Sequence, residues 1–192
     1  MSKFPPLYNK PTETIEIPNF LTELEISRIL DSLKDNKSNK ATTIDNPQFR
    51  KSIVKWIPED NSNIWVYQKI HNLIHELNSY IWKFELKSWN DQIQYTEYSE
   101  EYQGKYDWHQ DIGSNLYSHR KLSISIQLSD ENEYRGGNLE THTTGNLEDS
   151  KVYSKKIGSA IIFPSYIVHR VTPVTKGTRK SLVWWVGGCP FK

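Results

Sequence analysis

Three side chains of the right chemical types stand out first. His109 and Asp111 lie in Trp108-His109-Gln110-Asp111, and His169 follows sixty residues on (169 − 109). In a strand, residues i and i+2 share a face, so this spacing predicts an imidazole and a carboxylate side by side. His169 follows Gly158-Ser159-Ala160-Ile161-Ile162-Phe163-Pro164, which reads as a strand. Two His and one carboxylate on one face of a metal leave the opposite positions open, as a non-haem Fe(II) centre admitting O2 requires. A His-x-Asp tripeptide alone recurs by chance as two surface residues. Arg179 adds a second constraint, ten residues after His169 (179 − 169) within Thr178-Arg179-Lys180-Ser181. On a strand Ser181 shares its face, and an Arg fork grips a carboxylate bidentately. Each such charge-assisted hydrogen bond contributes about 1.5–3 kcal/mol. A dicarboxylate could thus chelate the metal at one end and be held by Arg179 and Ser181 at the other.

The elements that must position these residues are legible in outline. Ile15-Glu16-Ile17 alternates as a short strand. Thr22 and Glu25 form a capping box, and Leu24, Ile26, Ile29, Leu30 and Leu33 recur at helical spacing behind it. Lys34 to Lys40 reads as a solvated loop, and residues 1–14 as an arm. A second helix is predicted over Ile64 to Trp82, with Tyr67, Ile70, Leu73, Ile74, Leu77 and Ile81 on one face. Beyond it, Phe84/Leu86, Ile93/Tyr95, Leu122/Ile124/Ile126/Leu128, Ile161/Phe163 and Leu182/Trp184 alternate with period two. Turn signals separate them at Arg135-Gly136-Gly137-Asn138, Thr144-Gly145-Asn146, Lys156-Ile157-Gly158 and Lys176-Gly177-Thr178. Two helices followed by many short strands predict an antiparallel barrel or jelly roll with helices outside it.

The 192 residues form one predicted domain, with residues 1–82 supporting a core of residues 83–192. Seven Trp, eleven Tyr and six Phe exclude a disordered chain. A net charge of +1 gives no footprint for a nucleic-acid binder. With no apolar run long enough to span a bilayer and no apolar leader, the expectation is an intracellular protein without a membrane partner. The single Cys189 excludes an internal disulfide and a Cys-built zinc site, and reads as a packing residue.

Taken together, these residues resemble the Fe(II)- and 2-oxoglutarate-dependent dioxygenases, specifically the prolyl 4-hydroxylase-like group. The resemblance runs from about Ile15 to Trp185. It is densest in Tyr95 to Asp111 and in Phe163-Pro164-Ser165 followed by His169 to Arg179, with Arg120-Lys121-Leu122-Ser123 and Gly136-Gly137-Asn138-Leu139-Glu140 between. It implies an α+β, mainly β double-stranded β-helix (jelly roll, cupin-like) with N-terminal helices on the major sheet. It further implies His109, Asp111 and His169 as iron ligands and Arg179 with Ser181 on the distal carboxylate of 2-oxoglutarate. Tyr98 resembles a tyrosine lining that pocket, and Gln127 aligns with a position facing co-substrate. Trp185, of the same parity as Arg179, reads as interior core. The implied cofactors are Fe(II), 2-oxoglutarate and O2, with L-ascorbate a candidate accessory. The implied reaction hydroxylates an unactivated C–H bond and releases succinate and CO2. The implied partner is a protein or peptide carrying proline.

A free amino acid or other small molecule is the rival substrate. A non-catalytic binding module and a two-His, one-Asp zinc hydrolase are the rival classes. His71 and His75 lack the Glu of a metalloprotease helix and read as an exposed helix face. Asp91, Glu97, Glu100, Glu101 and Asp107 read as an acidic solvated loop, and Arg50 and Lys51 as candidates for a substrate groove. Gln103-Gly104-Lys105 and Asn132 to Gly137 are candidate lids.

Overall fold

The computed structural model describes residues 12–34, 39–41, 48–88, 91–142 and 149–189. In chain order, β1 (Ile15–Ile17) and α1 (Glu23–Ser32) lead to β2 (Asn39–Ala41) and β3 (Arg50–Ile57). Helix α2 (Ile64–Tyr80) precedes β4 (Leu86–Ser88), β5 (Ile93–Ser99), β6 (Lys105–His109) and β7 (Arg120–Gln127). Next come β8 (Arg135–Gly136), β9 (Leu139–His142), β10 (Lys151–Val152) and β11 (Ala160–Pro164). The chain closes with β12 (Val168–Val171), β13 (Val174–Lys176) and β14 (Thr178–Gly188).

The strands hydrogen-bond in the order β1-β11-β7-β14-β5-β3-β6-β12-β9-β10, with β2 on β3 and β4 on β14. Every described ladder is antiparallel. Strand β3 joins the two walls: Ile53–Ile57 pair with β5, while Arg50 and Lys51 pair with β6. The sheet curls there into the major and minor halves of a double-stranded β-helix.

The helices form where the periodicity puts them. Thr22 accepts from the Glu25 amide and Glu25 reaches back to the Thr22 amide, so α1 starts on the predicted box. At α2 the Asn63 side chain makes no cap; Asp60 instead accepts from the amides of Ser62 and Asn63. The apolar faces of both helices pack on Ile93, Tyr95, Leu122, Ile124, Ile126, Leu182 and Trp184. Each fully buried Ile or Leu in such a layer stabilises by about 1.5–3 kcal/mol. The intervening residues of the same strands, Gln94, Thr96, Ser123, Ser125, Gln127, Arg179 and Ser181, are buried polar groups on the other face.

Several expectations change. Asn39 and Lys40 belong to β2, not to a loop, because β3 offers them a free edge. Strand β3 itself was not predicted. Asp91 is no solvated acid but pairs with Arg120 at 3.0 Å, and Glu97 lies within β5 accepting from the Tyr95 hydroxyl. His71 and His75 are half-buried, with ring centroids 4.0 Å apart. Both candidate lids carry backbone hydrogen bonds to neighbouring elements: the Gly104 amide donates to Ser99, the Val174 amide to Gly104, and the Gly137 amide to Pro173. Residues 1–11 of the predicted arm and Thr144-Gly145-Asn146 lie outside the described residues.

Candidate metal centre and co-substrate pocket

His109 ends β6 and faces His169 of β12 across the ladder, so backbone pairing alone juxtaposes the two imidazoles. Asp111 lies past the end of β6, so period two is not what aims it. Its amide and that of Ile112 both donate to the Ser165 carbonyl, at 2.9 and 3.1 Å. The Asp111 carboxylate oxygens lie 3.7 Å from His109 Nε2 and 3.5 Å from His169 Nε2. His109 Nδ1 sits 2.7 Å from the Asp107 carbonyl and His169 Nδ1 2.9 Å from the Ile167 carbonyl. A carbonyl oxygen only accepts, so each Nδ1 carries the proton and each Nε2 keeps a lone pair for a metal.

Burial, then the neighbouring His169 ring, pushes His109 down to about 3, which leaves its ring neutral. Burial opposes ionisation of Asp111, yet the two imidazoles, with Ser123 and Trp185 nearby, hold its carboxyl below the usual range. Asp111 Oδ2 is buried without a hydrogen-bond partner. One ligand atom from each residue lies within 4.8 Å of the others. An orphaned carboxylate oxygen and two inward lone pairs fit a divalent metal with nitrogen and oxygen ligands.

A cavity of about 380 Å³ joins this centre to Arg179. Arg179 is 1% exposed and donates from Nη1 to Ser181 Oγ at 3.2 Å, while its Nε and Nη2 find no partner. No described acidic side chain pairs with it. Tyr98 stands opposite Arg179 across β5–β14, its ring 5.5 Å from the guanidinium. Burial raises its phenol against the pull of Arg50 and Arg179. Gln127 stands opposite Ser181, fully buried with Oε1 unpartnered, and does not line the cavity. Gly137 has φ +61°, and a Cβ there would come within 3.0 Å of Arg179 Cδ. Glycine at that turn therefore keeps room for the guanidinium.

Sequence reasoning missed several cavity residues. Trp185 is a lining residue and not mere core, with the Arg120 guanidinium 3.8 Å from its ring centroid. Tyr134, outside the lining itself, lies by Arg179: burial raises its phenol while that guanidinium pulls it down. Tyr106 stacks on His109 with centroids 3.5 Å apart and planes at 17°. Residues 106 and 109 share a face only because β6 and β12 shift register between them. Arg50, a candidate for a substrate groove from the sequence, does line the cavity while Lys51 does not, and Trp56, which was missed, joins it from the same unpredicted β3. For Trp185 the signal was available in its parity with Arg179.

Residues 93–187 match the family model of the 2OG-Fe(II) oxygenase superfamily. A PKHD-type hydroxylase of Synechococcus sp. (strain CC9605) is 40% identical over 81 residues, 42% of this chain and 36% of that protein. The match thus spans about a third of the relative's length. A prolyl hydroxylase from Trichoplax adhaerens, solved with a hypoxia inducible factor peptide fragment, superposes with TM-score 0.74 at 16% identity, covering 91% of this chain and 83% of that one. A Pseudomonas putida prolyl-4-hydroxylase superposes with TM-score 0.71 at 18% identity, over 93% and 94%. The fold and the matched stretch define a member of the 2OG-Fe(II) oxygenase superfamily. Within it the chain is similar to PKHD-type and prolyl 4-hydroxylase proteins, the latter in fold. Membership implies Fe(II), 2-oxoglutarate and O2 as the working set. No helix of the described residues is long and apolar enough to cross a membrane.

Proposed function

We propose that the chain hydroxylates a peptidyl proline, using Fe(II), 2-oxoglutarate and O2 and releasing succinate and CO2. The observation that carries this reading is a single cavity with two unsatisfied ends. At one end lie two inward Nε2 lone pairs and the orphaned Asp111 Oδ2; at the other, a buried guanidinium with two free donors. His109, Asp111 and His169 would hold the iron. The iron supplies O2 activation and oxidative decarboxylation of the 2-oxo acid.

The protein's part is positional. Arg179 and Ser181 hold the distal carboxylate, and Tyr98 walls the slot opposite Arg179. Asp107 and Ile167 carbonyls fix both imidazole tautomers, so no protein group has to transfer a proton. The aromatic rings of Trp56, Tyr106 and Tyr117 around the mouth offer an apolar cradle for a proline ring. The prolyl hydroxylase neighbours and the PKHD-type relative favour proline as target. Arg179 and Ser181 have no use in a zinc hydrolase.

The test is turnover of proline-rich peptides with Fe(II) and 2-oxoglutarate in air, with and without L-ascorbate. The expected result is succinate matched by gain of one oxygen on the peptide. Oxygen gain on free amino acids alone would replace the peptide reading. Failure to bind Fe(II) and 2-oxoglutarate would favour a non-catalytic module.

A further inference from the structure

Among the described residues three arginines line the cavity, and Asp111 is its one acidic lining residue. On the reading proposed above, a divalent ion, the Asp111 carboxylate, the 2-oxoglutarate dianion and Arg179 cancel one another. Arg120 is neutralised by Asp91 at 3.0 Å, and its guanidinium lies over the rings of Tyr117 and Trp185. Arg50 is left over. Its Nε donates to Ser52 Oγ at 2.9 Å and its guanidinium lies 4.6 Å from the Tyr106 ring centroid. No described acidic residue pairs with it. Tyr106 in turn stacks on His109, so this cation stands one aromatic ring from the metal centre.

The mouth is marked by Trp56 and Tyr117, which are 39% and 51% exposed. Arg50 and Trp56 project from one face of β3, the strand joining the two walls. Stacking on Tyr106 and the bond to Ser52 restrict the Arg50 side chain and leave its terminal nitrogens to donate. A guanidinium with no acidic partner among the described residues, held in place beside a cavity whose other charges balance, is built for an anion with planar paired acceptors.

We propose that Arg50 is a specificity-determining residue that binds a carboxylate of the substrate. Two sources share that chemistry: an Asp or Glu side chain flanking the target residue of a peptide, and the α-carboxylate of a free amino acid. The inference rests on the hydroxylase reading, and the experiment separates the two.

Matched proline peptides carrying Glu or Gln at the residues flanking proline, and free L-proline against L-prolinamide, are compared by succinate release. The same compounds are titrated into protein loaded with Mn(II) and 2-oxoglutarate, read by intrinsic Trp fluorescence. The acid-bearing member of a pair is expected to bind and react at least tenfold better. Preference within the peptide pair identifies a side-chain carboxylate, and preference confined to L-proline identifies the α-carboxylate. Arg50→Lys should keep the preference, Arg50→Gln should abolish it, and Arg50→Glu should turn it towards peptides with Lys at that place. A purely structural role for Arg50 would not invert selectivity. Equal handling of Glu and Gln peptides with normal oxygen gain overturns this inference and leaves the hydroxylase reading standing. Charge-dependent binding without oxygen gain does the reverse. Lack of binding by any acid-bearing compound also overturns it.

Discussion

Replacing Arg179 with Met separates what this residue does for the fold from what it does for the pocket. The guanidinium is buried, with Nε and Nη2 unpartnered among the described residues and Ser181 accepting from Nη1. A buried unsatisfied donor costs about 1–3 kcal/mol. Removing two of them, less the Ser181 bond lost, should leave the metal-free variant more stable by roughly 1–3 kcal/mol. For a chain of this size each kcal/mol moves Tm by about 2–4 °C. The loaded state should change in the opposite sense. Two charge-assisted hydrogen bonds contribute about 3–6 kcal/mol, so the variant should bind 2-oxoglutarate on the order of 10²–10⁴-fold more weakly. Protein with Mn(II) and 2-oxoglutarate at a hundred times its Kd should gain about 2.7 kcal/mol, or roughly 5–10 °C. Arg179→Met at the same concentration should gain almost nothing. The assay is a thermal melt with and without 2-oxoglutarate at fixed Mn(II). An Arg179→Met melt several degrees below wild type without ligand, or an unchanged 2-oxoglutarate shift, would refute the reasoning.

Two further outcomes follow from buried groups. His109 is held below its ordinary value in the fold, so the unfolded chain takes up a proton first as pH falls. The metal-free protein should therefore lose stability from about pH 6.5 downward, by at most ~1.4 kcal/mol per pH unit from this group. Asp111, also lowered, acts with the same sign at more acidic pH. Urea midpoints with chelator across pH 7 to 5 measure this, and His109→Gln should flatten the slope; an equal slope in the variant would be the wrong result. The Tyr67 hydroxyl donates to the Ile57 carbonyl at 2.6 Å and accepts from the Ile93 amide at 3.0 Å. Tyr67→Phe should destabilise by roughly 1–3 kcal/mol in urea unfolding, and a change within measurement error would show that those backbone groups find other partners.

The helices and central strands were legible because their apolar periodicity is also their packing. Thr22 with Glu25 is a local device, complete within four residues, and it forms as read. Strand β3 was not legible: its cavity face, Arg50-Ser52-Val54-Trp56, mixes charge, hydroxyl and aromatic, since it borders a site as well as a core. His109, Asp111, His169 and Arg179 were recognisable by type and spacing, and the fold brings the first three together in space. How they come together was not legible. Asp111 is aimed by the Ser165 carbonyl, which is fifty-four residues away in sequence (165 − 111). Tyr106 reaches the cavity through a register shift that period two cannot anticipate. Trp185 follows the parity of Arg179 into the cavity, where the Arg120 guanidinium lies against its ring.

The opposed faces of the major sheet have a consequence for how this protein tolerates change. Along β14, Leu182 and Trp184 anchor the helices while Ser181, Val183 and Trp185 look into the cavity. Neighbouring codons therefore answer to different demands, one to solubility and yield, the next to chemistry. A deep mutational scan read out separately for abundance and for turnover should trace two interleaved sawtooth profiles, each peaking where the other dips. Drift on the cavity face can then retune what the protein acts upon without loosening the layer that keeps it folded.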